Sequence, residues 1–201
     1  MTWIKTISYD DSSGRLRKIY DKIKGPENYI DNILLAHSLR PHTLEGHMAL
    51  YKNVLHHLSN KLPKWFLEGI GVYVSLLNSC SYCVNHHFEG MRRLIGDNER
   101  SEKIKTALTQ KVPEQALEAK EAALMDYACQ LTENPSSLVE DDITALLQAG
   151  ATEGEILEVN QVTAYFCYAN RTVLGLGITN KDEKLGLSPS DSSNIANWQH
   201  R

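Results

Sequence analysis

Basic charge is not in excess in this chain. Its 21 Lys and Arg stand against 25 Asp and Glu, for a net charge of −4 and a pI near 6.1. A nucleic-acid-binding surface needs a basic stripe, and the short pairs Arg92-Arg93 and Lys103/Lys105, mixed with acids, do not supply one. Long apolar runs are missing too. The longest, Trp65 to Leu77, contains Glu68 and falls short of the ~20 residues that span a membrane. The opening Met-Thr-Trp-Ile-Lys-Thr lacks the basic start and apolar run of a secretory signal, so a cytoplasmic protein is expected. Cysteine is scarce, at four in 201 residues. In a reducing compartment these are not a disulfide framework, and a close pair is redox-active, metal-binding or accidental. Strand signals are scarce, and no low-complexity linker or convincing internal repeat divides the chain.

What remains is a chain that is 42% hydrophobic, enough for one sizeable core, with helical spacing throughout. Asp11 to Lys24 places Leu16, Ile19, Tyr20 and Ile23 on one side and is ended by Gly25-Pro26. Helices are also expected over Asn32 to Leu39, from Pro41 or His42 through Leu58, and from Pro63, a residue suited to a first turn. The next helix, Cys80 to Ile95, is capped by Asn78 or Ser79 and closed by Gly96. Asp97 to Thr109 and Pro113 to Thr132 follow. Ser137-x-x-Glu140 and Thr152-x-x-Glu155 read as capping boxes opening two more helices, one ending at Gly150 and one running toward Gly175. The expected fold class is all-α: a single helical domain over residues 1–179 and an irregular Ser-, Asp- and Asn-rich tail over 180–201.

Chemistry concentrates in Asn78-Ser-Cys-Ser-Tyr-Cys-Val-Asn-His-His-Phe88. At about 100° per residue, Cys80, Cys83 and His87 fall within roughly 60° of one helical face. Two thiols one turn apart can close a disulfide, and an imidazole a turn further on can take and return a proton. Val84, Met91, Leu94 and Ile95 share that face, which predicts a sheltered site. Glu68 is the only charge in an otherwise apolar helix, and a carboxylate buried bare costs several kcal/mol. If the two helices form an antiparallel hairpin turning near Asn78, Glu68 lies ten residues before the turn and His87 nine after it. The pair then sits side by side, and Glu68, His87 and Cys83 make a feasible proton relay. Two effects compete over which sulfur attacks. The helix N-terminus favours a Cys80 thiolate, whereas the directed base His87 favours Cys83. In a sheltered site the base carries more weight, so Cys83 is expected as nucleophile and Cys80 as resolving thiol.

Glu68, eleven intervening residues and Cys80-x-x-Cys83-x-x-x-His87 together resemble the active-site signature of AhpD-like alkylhydroperoxidases, in the carboxymuconolactone decarboxylase superfamily. The likeness is to the peroxidase-related branch and extends to Ala36-His-Ser-Leu-Arg-Pro41 and to Ala164-Tyr-Phe-Cys-Tyr-Ala-Asn-Arg171 followed by Gly175. It implies an AhpD-like helical bundle assembled as a homo-oligomer, often a trimer or hexamer, with no cofactor. It also implies reduction of organic or hydrogen peroxide by the cysteine pair, with an external dithiol or thiol-protein as reductant. Tyr82 stands where the best-known members carry a His between the cysteines, so their lipoyl-carrying reductant is not carried over.

Other readings of the same residues stay open. Cys80, Cys83 and His87, with Glu68 or His86 as a fourth ligand, could hold zinc, although structural zinc sites more often draw ligands from two separate elements. A redox sensor or helical interaction module would oxidise without turnover. Cys129 and Cys167, amid apolar neighbours, are expected to be buried and unreactive. His37, His42, His47, His56 and His57 lack metal spacing and read as surface or packing residues. His86 lies off the cysteine face and reads as packing, hydrogen bonding or a subunit contact. Tyr82 reads equally as pocket wall, proton donor or packing. Arg171 is expected to pair with a carboxylate or helix carbonyls.

Overall fold

α4 (Lys64–Leu77) lies at the centre because it is apolar on every side: Phe66 through Ser75 are buried without interruption. In the computed structural model, which describes residues 2–25, 28–181 and 183–186, the other elements are arranged around it. They are α1 (Gly14–Ile23), α2 (Asn32–Ala36), α3 (Pro41–Leu55), α5 (Ser81–Ile95), α6 (Asn98–Thr109), α7 (Ala119–Glu133), α8 (Glu140–Gln148) and α9 (Glu153–Gly175). Among the described residues there is no strand, and the helices make a single all-α domain. α5 folds back along α4 as the expected hairpin, while α9, α7 and α6 cover the remaining faces of α4. α1, α2 and α3 build a second apolar cluster around Leu16, Tyr20, Leu34 and Leu44. No helix among the described residues is long and apolar enough to cross a membrane.

Local signals account for most of the helix ends. Gly96 takes the left-handed conformation (φ 68°) that closes α5, with its N–H on the Arg92 carbonyl at 3.0 Å. Asp97 caps α6 by accepting from the Arg100 N–H. Thr152 and Glu155 form the reciprocal box at α9, with N–H to side-chain distances of 2.8 and 3.2 Å.

Several boundaries differ from expectation. Ser137 does not open α8: it lies in a 3-10 turn, Pro135–Ser137, and its hydroxyl donates to the Asn134 carbonyl. α8 instead starts at Glu140, where the Val139 N–H donates to Asp142. Pro113 starts a 3-10 turn of three residues rather than α7, whose own box pairs Glu118 with Glu121. α3 stops at Leu55, leaving Leu58 beyond it and about half exposed. α1 ends at Ile23, and Pro26 lies outside the described residues. Of the expected tail, residues 180, 181 and 183–186 are described and form no helix, and the rest lies outside the described residues.

Two glycines let helices approach where a side chain would crowd them. A Cβ at Gly71 would stand 2.3 Å from Cζ of the buried Phe166 on α9, and one at Gly90 would stand 3.2 Å from the Glu68 carboxyl. Gly71→Ala therefore overpacks the α4–α9 contact. Denaturant unfolding should show a loss of about 1–3 kcal/mol, and an unchanged midpoint would reject this account of the packing.

Candidate active site

The turn between α4 and α5 sets the site's geometry. Ser79 takes a left-handed conformation (φ 57°), which few residues other than Gly, Asn and Asp adopt readily. The chain then returns so that the Cys80 N–H reaches the Ser75 carbonyl at 2.8 Å. Cys80 is consequently the N-cap residue, just outside α5, and not part of its first turn as expected. Cys83 lies in the first turn. The two thiols are free, buried and 3.1 Å apart.

Asn170 of α9 holds this turn from the far side. Its amide donates to Ser75 Oγ at 3.0 Å, and its carbonyl oxygen accepts from the Asn78 amide at 3.0 Å. It is fully buried and also stabilises negative charge on both sulfurs. Sequence reasoning gave it no role. The available signal was an Asn on the buried face of a long helix, since buried amides are there to bond something.

The two sulfurs differ in their surroundings. The Cys83 thiol draws the Cys80 thiol below the usual range against the opposing effect of burial, with the Cys83 backbone N–H and Asn170 assisting. Cys83 is pushed well above that range by Cys80 and by burial, despite help from Asn170 and Ser75. One proton therefore leaves the pair readily and the second does not.

Opposite the sulfurs, Glu68 and His87 meet across the hairpin with Oε2 2.6 Å from Nδ1. The Glu68 side chain is 1% exposed, and burial of an unpaired carboxylate would cost several kcal/mol. With Nδ1 donating to Glu68, Nε2 is left to exchange a proton. Phe166 braces the imidazole edge-on, with ring centroids 4.5 Å apart. A second imidazole stands on the other side of Glu68: His56 Nε2 is 3.9 Å from Oε1. His56 and His47 are both buried, so neither is a surface residue, and His56 belongs to the surroundings of this carboxylate.

A cavity of about 60 Å³ opens beside the pair. Cys83, His86 and His87 form one wall and face Met48, Tyr51 and Tyr165. Cys80 does not line it. His86, expected off to the side, thus borders the same space as Cys83. The segment after α9 closes the rim: Gly186 lines the cavity, and Glu183 accepts from the Tyr82 hydroxyl at 2.8 Å.

Other candidates stand apart. Cys129 and Cys167 are half-buried rather than buried, and burial raises the Cys129 pKa. Arg171 donates to the Cys167 carbonyl of its own helix. Among the described residues no three His, Cys, Asp or Glu side chains converge as a metal site.

No protein-family model matches the chain, and no curated protein does. Solved structures do. An uncharacterized peroxidase-related protein from Ralstonia eutropha JMP134, described as an alkylhydroperoxidase AhpD core, superposes with a TM-score of 0.73 at 20% identity, over 89% of this chain and 91% of that one. A peroxidase-related protein from Silicibacter sp. TM1040 gives 0.75 at 23% identity over the same shares. The debrominase Bmp8 gives 0.66 at 16% identity, over 98% of this chain and 92% of that one. The chain has the AhpD-like fold.

The thiol asymmetry has a direct test. Cys83→Ala removes the donor that most favours the Cys80 thiolate. Ultraviolet titration of thiolate should then show the Cys80 ionisation moving to higher pH, and a midpoint that stays or falls would contradict the assignment.

Proposed function

We propose that this protein is a thiol-dependent alkylhydroperoxidase, a disulfide oxidoreductase that cycles Cys80 and Cys83 between dithiol and disulfide. The observation that carries this reading is the buried Glu68–His87 pair, 2.6 Å apart, whose imidazole lines a cavity that Cys83 lines too. The AhpD-like fold of proteins described as peroxidase-related supports it.

In the proposed cycle, His87, held by Glu68, takes the proton of Cys83. The thiolate attacks the peroxide, an S–O bond forms as the O–O bond breaks, and an alcohol or water leaves. Cys80 then attacks the sulfenic sulfur, releasing water and closing the Cys80–Cys83 disulfide. An external dithiol or thiol-protein restores both thiols by exchange. Cys83 is the attacking sulfur because it lines the cavity, although Cys80 ionises more easily. A sulfur that substrate cannot reach gains nothing from a low pKa. The same reading carries a cytoplasmic setting and a homo-oligomer, a trimer or hexamer, built by helix packing.

The likeness to a debrominase raises a second substrate class, because a dithiol also supplies the two electrons that replace a carbon–halogen bond with C–H. The cavity argues for the smaller substrate. About 60 Å³ of space holds roughly four or five water-sized groups, enough for a peroxide and a short chain.

One equivalent of organic hydroperoxide should consume two thiols, traced by intact mass and peptide mapping to Cys80 and Cys83. With a dithiol present, peroxide consumption should continue. A single oxidation without turnover would indicate a sensor, and metal released by a chelator would indicate a zinc site. Cys83→Ser or Cys80→Ser should abolish cycling, and retained turnover would remove the assignment. His87→Gln should slow thiol oxidation near neutral pH by about 100-fold or more, and an unchanged rate would reject the relay.

A further inference from the structure

We propose that His86 is a second catalytic residue of this site, the acid that protonates the departing oxygen, and that Glu183 positions it. The proposal rests on the hydroperoxide reading above and adds a proton donor to it.

His86 follows Cys83 by one turn of α5 and borders the same cavity. Behind it stands Glu183, carried in by the segment after α9, with a side chain only 2% exposed. Oε1 of Glu183 accepts from the Asn32 N–H at 2.6 Å and from the Tyr82 hydroxyl at 2.8 Å. Oε2 is buried without a hydrogen bond. It faces His86 Nε2, likewise buried without one, at 3.6 Å. A sequestered carboxylate needs a donor turned toward it, and His86 Nε2 is the group that faces Oε2. Tyr82 brings no charge of its own. Burial first, and then the charge of Glu183, hold its phenol far above the ordinary range, so it stays a neutral donor. Its ring packs against His86 with centroids 4.7 Å apart and fixes the imidazole.

The cavity wall thus carries two imidazoles on successive positions, each backed by its own buried carboxylate. The Glu68–His87 bond is closed at 2.6 Å, whereas the Glu183–His86 contact is open. The two imidazoles thus stand in different settings, and the proposed step gives them different roles. When the Cys83 thiolate attacks the outer peroxide oxygen, the O–O bonding electrons leave on the alkoxide. The His86 imidazolium transfers its proton to that oxygen, giving alcohol and a neutral imidazole. His87 now carries the Cys83 proton, so the net charge is unchanged, and before the next turn His87 releases that proton to solvent while His86 takes one up.

Two oxidants that differ only in their need for a proton test this. tert-Butyl hydroperoxide expels a strongly basic alkoxide, while peracetic acid expels acetate, which leaves without protonation. Single-turnover loss of Cys83 thiol is measured with each. In His86→Gln the rate with tert-butyl hydroperoxide should fall about 100-fold or more, the usual scale of general-acid catalysis, and the rate with peracetic acid by less than about threefold. Glu183→Gln should move the ratio of the two rates in the same direction, which simple loosening of the fold would not do. Equal losses with both oxidants would overturn the role of His86 while leaving the peroxidase reading intact. A wild-type protein inert to both oxidants would sink that reading itself. Should the variants fail to fold, the wild-type rate across hydroperoxides of graded leaving-alcohol acidity decides. A shallow dependence supports the acid, and a steep one overturns it.

Discussion

A carboxylate placed in the middle of an all-apolar helix has to be answered by another element, and here the answer sets the register of the central hairpin. Glu68 meets His87 at 2.6 Å only if α5 runs back along α4 with the turn at residues 78–80. Gly90 leaves room for this contact, because a Cβ there would stand 3.2 Å from the Glu68 carboxyl and crowd it. The same register seats both sulfurs beneath Asn170 and opens Cys83 to the cavity. Slipping the hairpin by one residue would strand the charge in the core at a cost of several kcal/mol. The requirements of the fold and of the proposed chemistry therefore coincide at one contact.

The sulfurs show how a site can separate ease of ionisation from accessibility. Cys80, at the N-cap, receives the hydrogen bond that favours a thiolate, yet it is sealed from the cavity. Cys83 can be reached, but its neighbour and its burial keep it protonated. That assigns their work in the proposed cycle. A base must act on Cys83 when substrate is present, and Cys80 is poised to close the disulfide once Cys83 has been oxidised. At 3.1 Å the second bond needs little movement.

Contacts between residues close in sequence, or set by helical periodicity, were legible in the chain. The α4–α5 hairpin, the Glu68–His87 pairing, the Gly96 stop and the Thr152–Glu155 box all follow from spacing and residue type. Errors arose where two local codes compete. Ser137-x-x-Glu140 matches a capping box, but Pro135 pulls Ser137 into a 3-10 turn. A left-handed Ser79 puts Cys80 outside the helix, and nothing in a serine announces that conformation. Asn170, His56 and Glu183 reach the site from other elements. Their partners are set by tertiary packing, so a single sequence carries at most the hint that a polar residue lies on an apolar face. The Ser-, Asp- and Asn-rich composition after residue 179 likewise concealed a glutamate that packs against Tyr82 and His86.

The narrow cavity has a kinetic corollary. Among the described residues only one thiol, that of Cys83, borders it, and Cys83 is 3% exposed, so in the proposed cycle oxidant and reductant must use the same doorway. Neither can occupy it while the other is inside. The two half-reactions of the proposed cycle are then obliged to alternate, each product leaving before the next reactant enters, and the form that waits between them is the oxidised protein itself.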